Sequence, residues 1–137
     1  MSICLDTTAL LARHIDDDHR MLILDAMSMD HNWCASAMAL TEAMMLVDRL
    51  DLDHDHRERL GRQLRSDWDR LHRVPVDEEC LSLATRLGRD QPLRITDAIH
   101  LAAAQRLPGP VSFATFDPNQ IGPALALGFE VISPMSL

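Results

Sequence analysis

The sequence predicts an α/β protein in which helices cover both faces of a parallel sheet. Short apolar segments typical of buried strands alternate along the chain with longer segments whose apolar residues recur at helical spacing. Elements that alternate in this way favour a parallel sheet, because each connection crosses the sheet to bring the next strand alongside. The 137 residues contain no internal repeat and no linker rich in Gly, Ser or Pro, so we expect one domain over residues 1–137.

The first half of the chain is predicted to contain two strands and four helices. Acidic and hydroxyl side chains at Asp16–Asp18 and Ser36 are typical of helix starts. Apolar residues at helical spacing predict one amphipathic helix within 54–73. The predicted elements are a strand at 2–5, a helix at 8–13, a helix from 16–18 to about 26, a strand at 33–35, a helix from Ser36 to about 50, and the helix within 54–73.

The second half is predicted to contain three strands and three helices. Residues 95–107 are almost all apolar, which indicates a buried helix, and Pro108-Gly109-Pro110 ends it. The predicted elements are a strand at 74–76, a helix from 77 to about 87, the buried helix, a strand at 111–115, a helix at 118–127 and a strand at 130–132. In such a sheet, ligands collect at the carboxyl ends of the strands.

Composition limits the classes of function. The net charge of −8 and the pI of about 5.2 argue against a protein that holds nucleic acid by bulk positive charge. No apolar stretch reaches 18 residues and no signal peptide is visible, so we expect a cytoplasmic chain with no membrane partner. Cys4, Cys34 and Cys80 fit neither a disulfide framework nor a zinc site and are expected to be small buried groups.

Four acidic residues lie in or beside apolar segments. Asp6 and Asp117 each follow a predicted strand, where an acid also commonly closes a turn. Asp97 begins an apolar helix, where the helix dipole alone favours it and where Arg94 can pair with it. Glu42 stands on an apolar helix stripe, where a carboxylate is costly unless it is paired or binds a metal.

None of the four acids is decisive alone, so a functional site is inferred from all four together. Hard oxygen ligands are what Mg²⁺ or Mn²⁺ requires, and carboxylates that hold such ions commonly act on phosphodiesters. Thr8 and Thr115 stand close to two of the acids in sequence and are expected to orient carboxylates as supporting hydrogen-bond donors.

Four short segments carry a family resemblance. They are Leu5-Asp6-Thr7-Thr8-Ala9-Leu10-Leu11, Ala39-Leu40-Thr41-Glu42-Ala43, Thr96-Asp97-Ala98-Ile99-His100-Leu101-Ala102 and Ala114-Thr115-Phe116-Asp117. In this order they resemble the motifs of PIN-domain nucleases, and most of all the VapC-like toxins of type II toxin–antitoxin pairs. The similarity extends over essentially the whole chain.

The resemblance implies a three-layer α/β/α fold with a central parallel sheet of four to five strands. It also implies an Mg²⁺- or Mn²⁺-dependent endoribonuclease, with Asp6, Glu42, Asp97 and Asp117 as catalytic metal ligands and with Thr8 and Thr115 in support. The partners it implies are an RNA substrate, a cognate antitoxin and a second copy of the chain in a homodimer.

Two other functions fit parts of the pattern. A phosphoacceptor domain also has an Asp after its first strand, but it generally uses a Lys, and all 13 basic residues here are Arg. A degenerate PIN-like module would bind a partner without cutting, and the complete acid set argues against it.

Several other side chains have ordinary structural explanations. His100 stands three residues after Asp97 and could reach the acidic site, but a packed polar position beside the core is the favoured interpretation. Met38, Met44 and Met45 are expected in the core or at subunit contacts. The arginines of the helix within 54–73 are interleaved with acids, which favours a solvated face over an RNA-binding surface.

Overall fold

The computed structural model describes residues 1–15 and 18–134, and its centre is a five-stranded sheet in which all neighbouring strands are parallel. The order of strands across the sheet is β3-β2-β1-β4-β5. The strands are β1 Ser2–Leu5, β2 Asn32–Ser36, β3 His72–Val74, β4 Val111–Ala114 and β5 Glu130–Ile132. The predicted parallel sheet of four to five strands is therefore confirmed.

Helices connect the strands within the described ranges. They are α1 Thr7–Ala12, α2 Asp18–Ser28, α3 Ala39–Asp48, α4 His54–Trp68, α5 Glu78–Asp90, α6 Ile95–Gln105 and α7 Pro118–Ala126. None of them is both long enough and apolar enough to cross a membrane.

The central strand β1 contributes to two separate cores because successive side chains point to opposite faces. Ile3 and Leu5 pack with α1, α2, α3 and α4 on one face. Cys4 packs with Phe113 of β4 and with α5, α6 and α7 on the other face. The predicted three-layer α/β/α arrangement is therefore confirmed, and all three cysteines are free and buried as expected.

Several predicted boundaries differ from the structure. Ser36 does not cap α3, because it is the last residue of β2 and pairs with Val74 of β3. The third strand ends at Val74 and does not reach residue 76, since Pro75 has no N–H to donate to the ladder. The helix predicted over 54–73 begins at His54 but ends earlier, at Trp68. The predicted cap at residues 16 and 17 lies outside the described residues.

Candidate active site

The two central strands deliver two of the acids to one edge of the sheet. Strands β1 and β4 are neighbours, with Leu5 opposite Ala114. Asp6 follows β1 directly, and Asp117 stands three residues after the end of β4. Because parallel strands end at the same edge, both side chains lie at the carboxyl side of the sheet.

All four acids stand at helix N-termini. The side chain of Asp6 caps α1 by accepting from the N–H of Ala9, and that of Asp117 caps α7 by accepting from the N–H of Asn119. Glu42 and Asp97 lie in the first turns of α3 and α6. The positive ends of the helix dipoles favour ionised carboxylates and offset part of their mutual repulsion. The four side chains line one cleft of about 390 Å³.

Asp6 is the most enclosed of the four, with 2% of its surface exposed. Its Oδ1 accepts hydrogen bonds from Thr8 Oγ1 at 2.6 Å and from the N–H of Ala9 at 2.9 Å. Its Oδ2 accepts from Thr115 Oγ1 at 2.5 Å and from Gln120 Nε2 at 3.4 Å. Burial nevertheless raises the pKa of Asp6, because these neutral donors replace water incompletely around a charged group.

Glu42 is held by side chains of α1 and α6. The hydroxyl of Thr7 donates to its Oε1, and His100 Nε2 lies 3.1 Å from the same oxygen. These bonds, with that from His100 the largest, lower the pKa of Glu42 to about 2. The Thr7 hydroxyl has one proton and donates it to Glu42, so it cannot donate to the histidine ring. The ring nitrogen Nε2 must therefore carry a hydrogen. In the neutral ring, Nδ1 then accepts from the hydroxyl of Ser36 at 3.1 Å.

His100 therefore contacts the acidic site through Glu42, and it also packs beside the core as expected. The ring is buried and lies one helical turn after Asp97 on α6. The spacing of three residues from Asp97 is the signal in the sequence that indicated this position.

Arg94 joins the other two acids. Its Nε lies 2.9 Å from Asp97 Oδ2 and its Nη2 lies 3.2 Å from Asp97 Oδ1, which makes a bidentate pair. The same Nη2 lies 3.1 Å from Asp117 Oδ2. These contacts raise the pKa of Arg94, with the bond to Asp97 the largest cause.

Within residues 1–15 and 18–134, no three His, Cys, Asp or Glu side chains are grouped closely enough to hold a metal ion. The carboxylates line the same cleft, but Arg94 is hydrogen-bonded to two of them and His100 is hydrogen-bonded to a third. A cation could bind Asp97 and Asp117 only if the guanidinium moved. Because 69% of the Arg94 side chain is exposed, such a movement does not require the core to repack.

The chemistry of the donors nonetheless fits a hard divalent cation. The oxygens around the cleft are carboxylates, which Mg²⁺ and Mn²⁺ prefer. Gln120, 1% exposed, also lines the cleft, and its buried Oε1 has no hydrogen-bond partner in the part of the chain that the structure describes. This unpaired oxygen is a further oxygen ligand beside Asp6, so the donors present fit a hard cation.

Two residues of this site were not among those predicted from the sequence. Thr7 bonds to both Glu42 and His100, and Gln120 bonds to Asp6. Thr7 follows Asp6 directly, so its place at the start of α1 was a usable signal. Gln120 lies in an ordinary helical segment and gave none.

Comparisons with known proteins agree with this fold. The PIN domain model matches residues 3–122. A search of curated proteins gave no significant match. The chain is similar to FitAcB of Neisseria gonorrhoeae, with 18% identity and a TM-score of 0.72 over 98% of this chain and 99% of that one.

Two mycobacterial structures are similar as well. VapC20 of Mycobacterium tuberculosis, described as a Sarcin-Ricin loop cleaving toxin, has 16% identity and a TM-score of 0.72 over 94% of this chain and 98% of that one. VapBC-5 of the same organism has 21% identity and a TM-score of 0.61 over 96% of each chain. Since the family model spans most of the sequence, the chain belongs to the PIN domain family.

Proposed function

We propose that this chain is a divalent-cation-dependent endoribonuclease that acts as the toxin of a toxin–antitoxin pair. The observation that supports it most is that Asp6, Glu42, Asp97 and Asp117 come from four distant segments and line a single cleft. Asp6 and Asp117 also cap helices, but capping does not require a buried carboxylate, and burial disfavours the ionised form of Asp6.

The residues of the cleft have two proposed roles: some would bind the metal ion, and others orient those ligands. Asp6, Asp97, Asp117 and Glu42 would hold Mg²⁺ or Mn²⁺, which supplies Lewis-acid activation of water and neutralises charge on a phosphodiester. Thr8 and Thr115 fix the two oxygens of Asp6 through their hydroxyl groups. His100 fixes Glu42 from the buried side of the cleft, and this leaves the exposed side for substrate.

The partners that we propose follow from the similar proteins. One of them cleaves the Sarcin-Ricin loop, which supports an RNA substrate. VapBC-5 is described as a member of the VapBC family of toxin–antitoxin systems, which supports a cognate antitoxin. We further propose a homodimer, to be tested by light scattering of the purified chain. A neighbouring gene that encodes a small DNA-binding protein would support the antitoxin.

The test of catalysis is cleavage of RNA by the purified chain with Mg²⁺ or Mn²⁺. Asp6→Asn and Asp97→Asn should abolish cleavage while the fold is retained. The matched control is Asp77→Asn, because Asp77 is also a helix N-cap and also pairs with an arginine, yet it lies outside the cleft. Cleavage by the Asp6 and Asp97 variants at the wild-type rate would contradict the proposal.

One observation favours a second candidate, a PIN module that binds a partner without cutting. Arg94 already neutralises Asp97 and Asp117, so the cleft has an internal cation. The two candidates differ in their response to Mn²⁺. A catalytic site is stabilised by the ion and melts at a higher temperature when Mn²⁺ is present, whereas a degenerate site shows no shift.

A further inference from the structure

The cleft continues beyond the carboxylates along helix α3. Thr41, Met45 and Arg49 follow one another at intervals of one helical turn, and all three line the cleft and are exposed. Met45 is 52% exposed although it is a large apolar side chain, and Leu46 lies next to it on the same wall. We call this surface, formed by Thr41, Met45, Leu46 and Arg49, the α3 wall.

Arg49 is available to an anion from outside the protein. Its guanidinium makes no ion pair and no hydrogen bond within residues 1–15 and 18–134, whereas Arg94, the other arginine that lines the cleft, is held by two carboxylates. The helical rise of about 1.5 Å per residue puts Arg49 roughly 10 Å from Glu42 along the axis of α3. The positive charge thus stands at the far end of the wall from the acids.

This arrangement fits a nucleotide. The acids repel the phosphates of a strand that crosses them, so the flanking phosphates need a cation outside the acidic floor, and phosphate is a group that Arg binds well. Among the described residues, no Phe, Trp or Tyr lines the cleft, so these residues offer a base no such aromatic ring to stack on there. A methionine thioether makes favourable contacts with aromatic rings, which allows Met45 to pack against a base in place of an aromatic residue.

We propose that the α3 wall is a nucleotide subsite, in which an unpaired base of the RNA lies against Met45 and a neighbouring phosphate binds Arg49. This rests on the proposed function and adds to it a requirement on the substrate. A base reaches the wall with its face only when it is unstacked, so the RNA must be single-stranded at that position.

The test measures RNA binding separately from cleavage. A labelled single-stranded 12-mer RNA is titrated, with Mn²⁺ and at several salt concentrations, against the Asp6→Asn protein, which keeps the RNA intact if the chain is a nuclease. Adding Arg49→Ala should lower the affinity and reduce the slope of log K against log salt by about 0.7, the contribution of one phosphate contact on a single strand. Adding Met45→Ala should lower the affinity several-fold at an unchanged salt slope.

The matched controls lie outside the cleft. Arg86 is an exposed arginine on α5, and Met29 is an exposed methionine after α2. Replacing either with Ala should change neither affinity nor slope, and a fully paired duplex of the same sequence should not respond to Met45→Ala. Thermal melting should be unchanged in all variants, because none of these side chains is buried.

Three results would overturn the subsite. They are an unchanged salt slope in Arg49→Ala, a loss in Arg86→Ala as large as that in Arg49→Ala, or no measurable RNA binding at low salt. If the variants weaken only the binding of a protein partner, the wall is a protein contact and not a nucleotide site. If the subsite is right and the proposed function is wrong, RNA binding depends on Arg49 but the wild-type protein never cleaves RNA.

Discussion

Removing Arg94 should increase the affinity of the cleft for a divalent cation. The guanidinium makes three hydrogen bonds, two to Asp97 and one to Asp117, at 2.9, 3.2 and 3.1 Å. A cation bound by both carboxylates must displace these bonds. Arg94 and the cation therefore compete, and Arg94→Ala removes one competitor without altering either carboxylate.

The size of the effect follows from the exposure of the arginine. Because 69% of the Arg94 side chain is exposed, each ion pair is screened by water and contributes about 0.2–1 kcal/mol. Two pairs together give roughly 0.4–2 kcal/mol, which corresponds to about a 2- to 30-fold gain in Mn²⁺ affinity. Without a cation, the same variant should melt at a lower temperature, since Asp97 and Asp117 would face each other without a counter-charge.

Isothermal titration with Mn²⁺ measures this directly on wild-type protein and on Arg94→Ala. Arg106→Ala is the control, because Arg106 makes a similar bidentate pair with the helix cap Asp77 at 2.7 and 3.2 Å. It should leave the Mn²⁺ affinity unchanged. An equal or lower affinity in Arg94→Ala would refute the competition and would mean that the arginine does not occupy the position of the cation.

Three further predictions concern stability. Because burial raises the pKa of Asp6 above 3.8, its ionised form opposes folding at neutral pH, and the wild type gains stability as the pH falls through that raised pKa towards 3.8. In EDTA at pH 7, Asp6→Asn should therefore be no less stable than the wild type in urea unfolding, and a loss above about 1.5 kcal/mol would contradict this. The pKa of Glu42 moves the other way, from 4.5 down to about 2, so its contribution is complete above pH 4.5 and is lost as the pH falls from 4.5 towards 2. Glu42→Gln should flatten that part of the stability–pH curve, and an identical curve would count against the bond from His100. Far from the cleft, buried Asp67 accepts from Arg13 at 2.8 Å and contacts His14 at 2.5 Å, so Asp67→Ala should cost about 3–5 kcal/mol in urea unfolding, and a cost below about 1 kcal/mol would contradict a buried ion-pair role.

The position of two of the acids at one edge of the sheet was predictable from the parallel arrangement of the strands. An acid that directly follows a strand of a parallel sheet lies at the carboxyl edge, and this applies to Asp6 and Asp117. The apolar stripe around Glu42 indicated that it faces the interior. Asp97 was predictable as an acid at a helix start, and its pairing with Arg94 was predictable from their spacing, but the bidentate geometry was not.

The contacts inside the cleft were less accessible to sequence analysis. Arg94 reaches Asp117 across 23 residues, and this depends on where the fold places the start of α7 relative to the start of α6. Thr7 turns towards Glu42 and Thr8 towards Asp6 only because α1 begins directly after Asp6. The end of β3 was predictable, by contrast, since Pro75 has no N–H and its position is visible in the sequence.

The central claim is that the four carboxylates act together through a divalent cation to hydrolyse RNA. The most direct measurement is the rate of cleavage of a quenched fluorescent RNA as a function of Mn²⁺ concentration, for the wild type and for Asp97→Asn. We predict a rate that rises and saturates with Mn²⁺ in the wild type and stays at background in the variant. Cleavage that persists in EDTA, or that is equal in the two proteins, would contradict the claim.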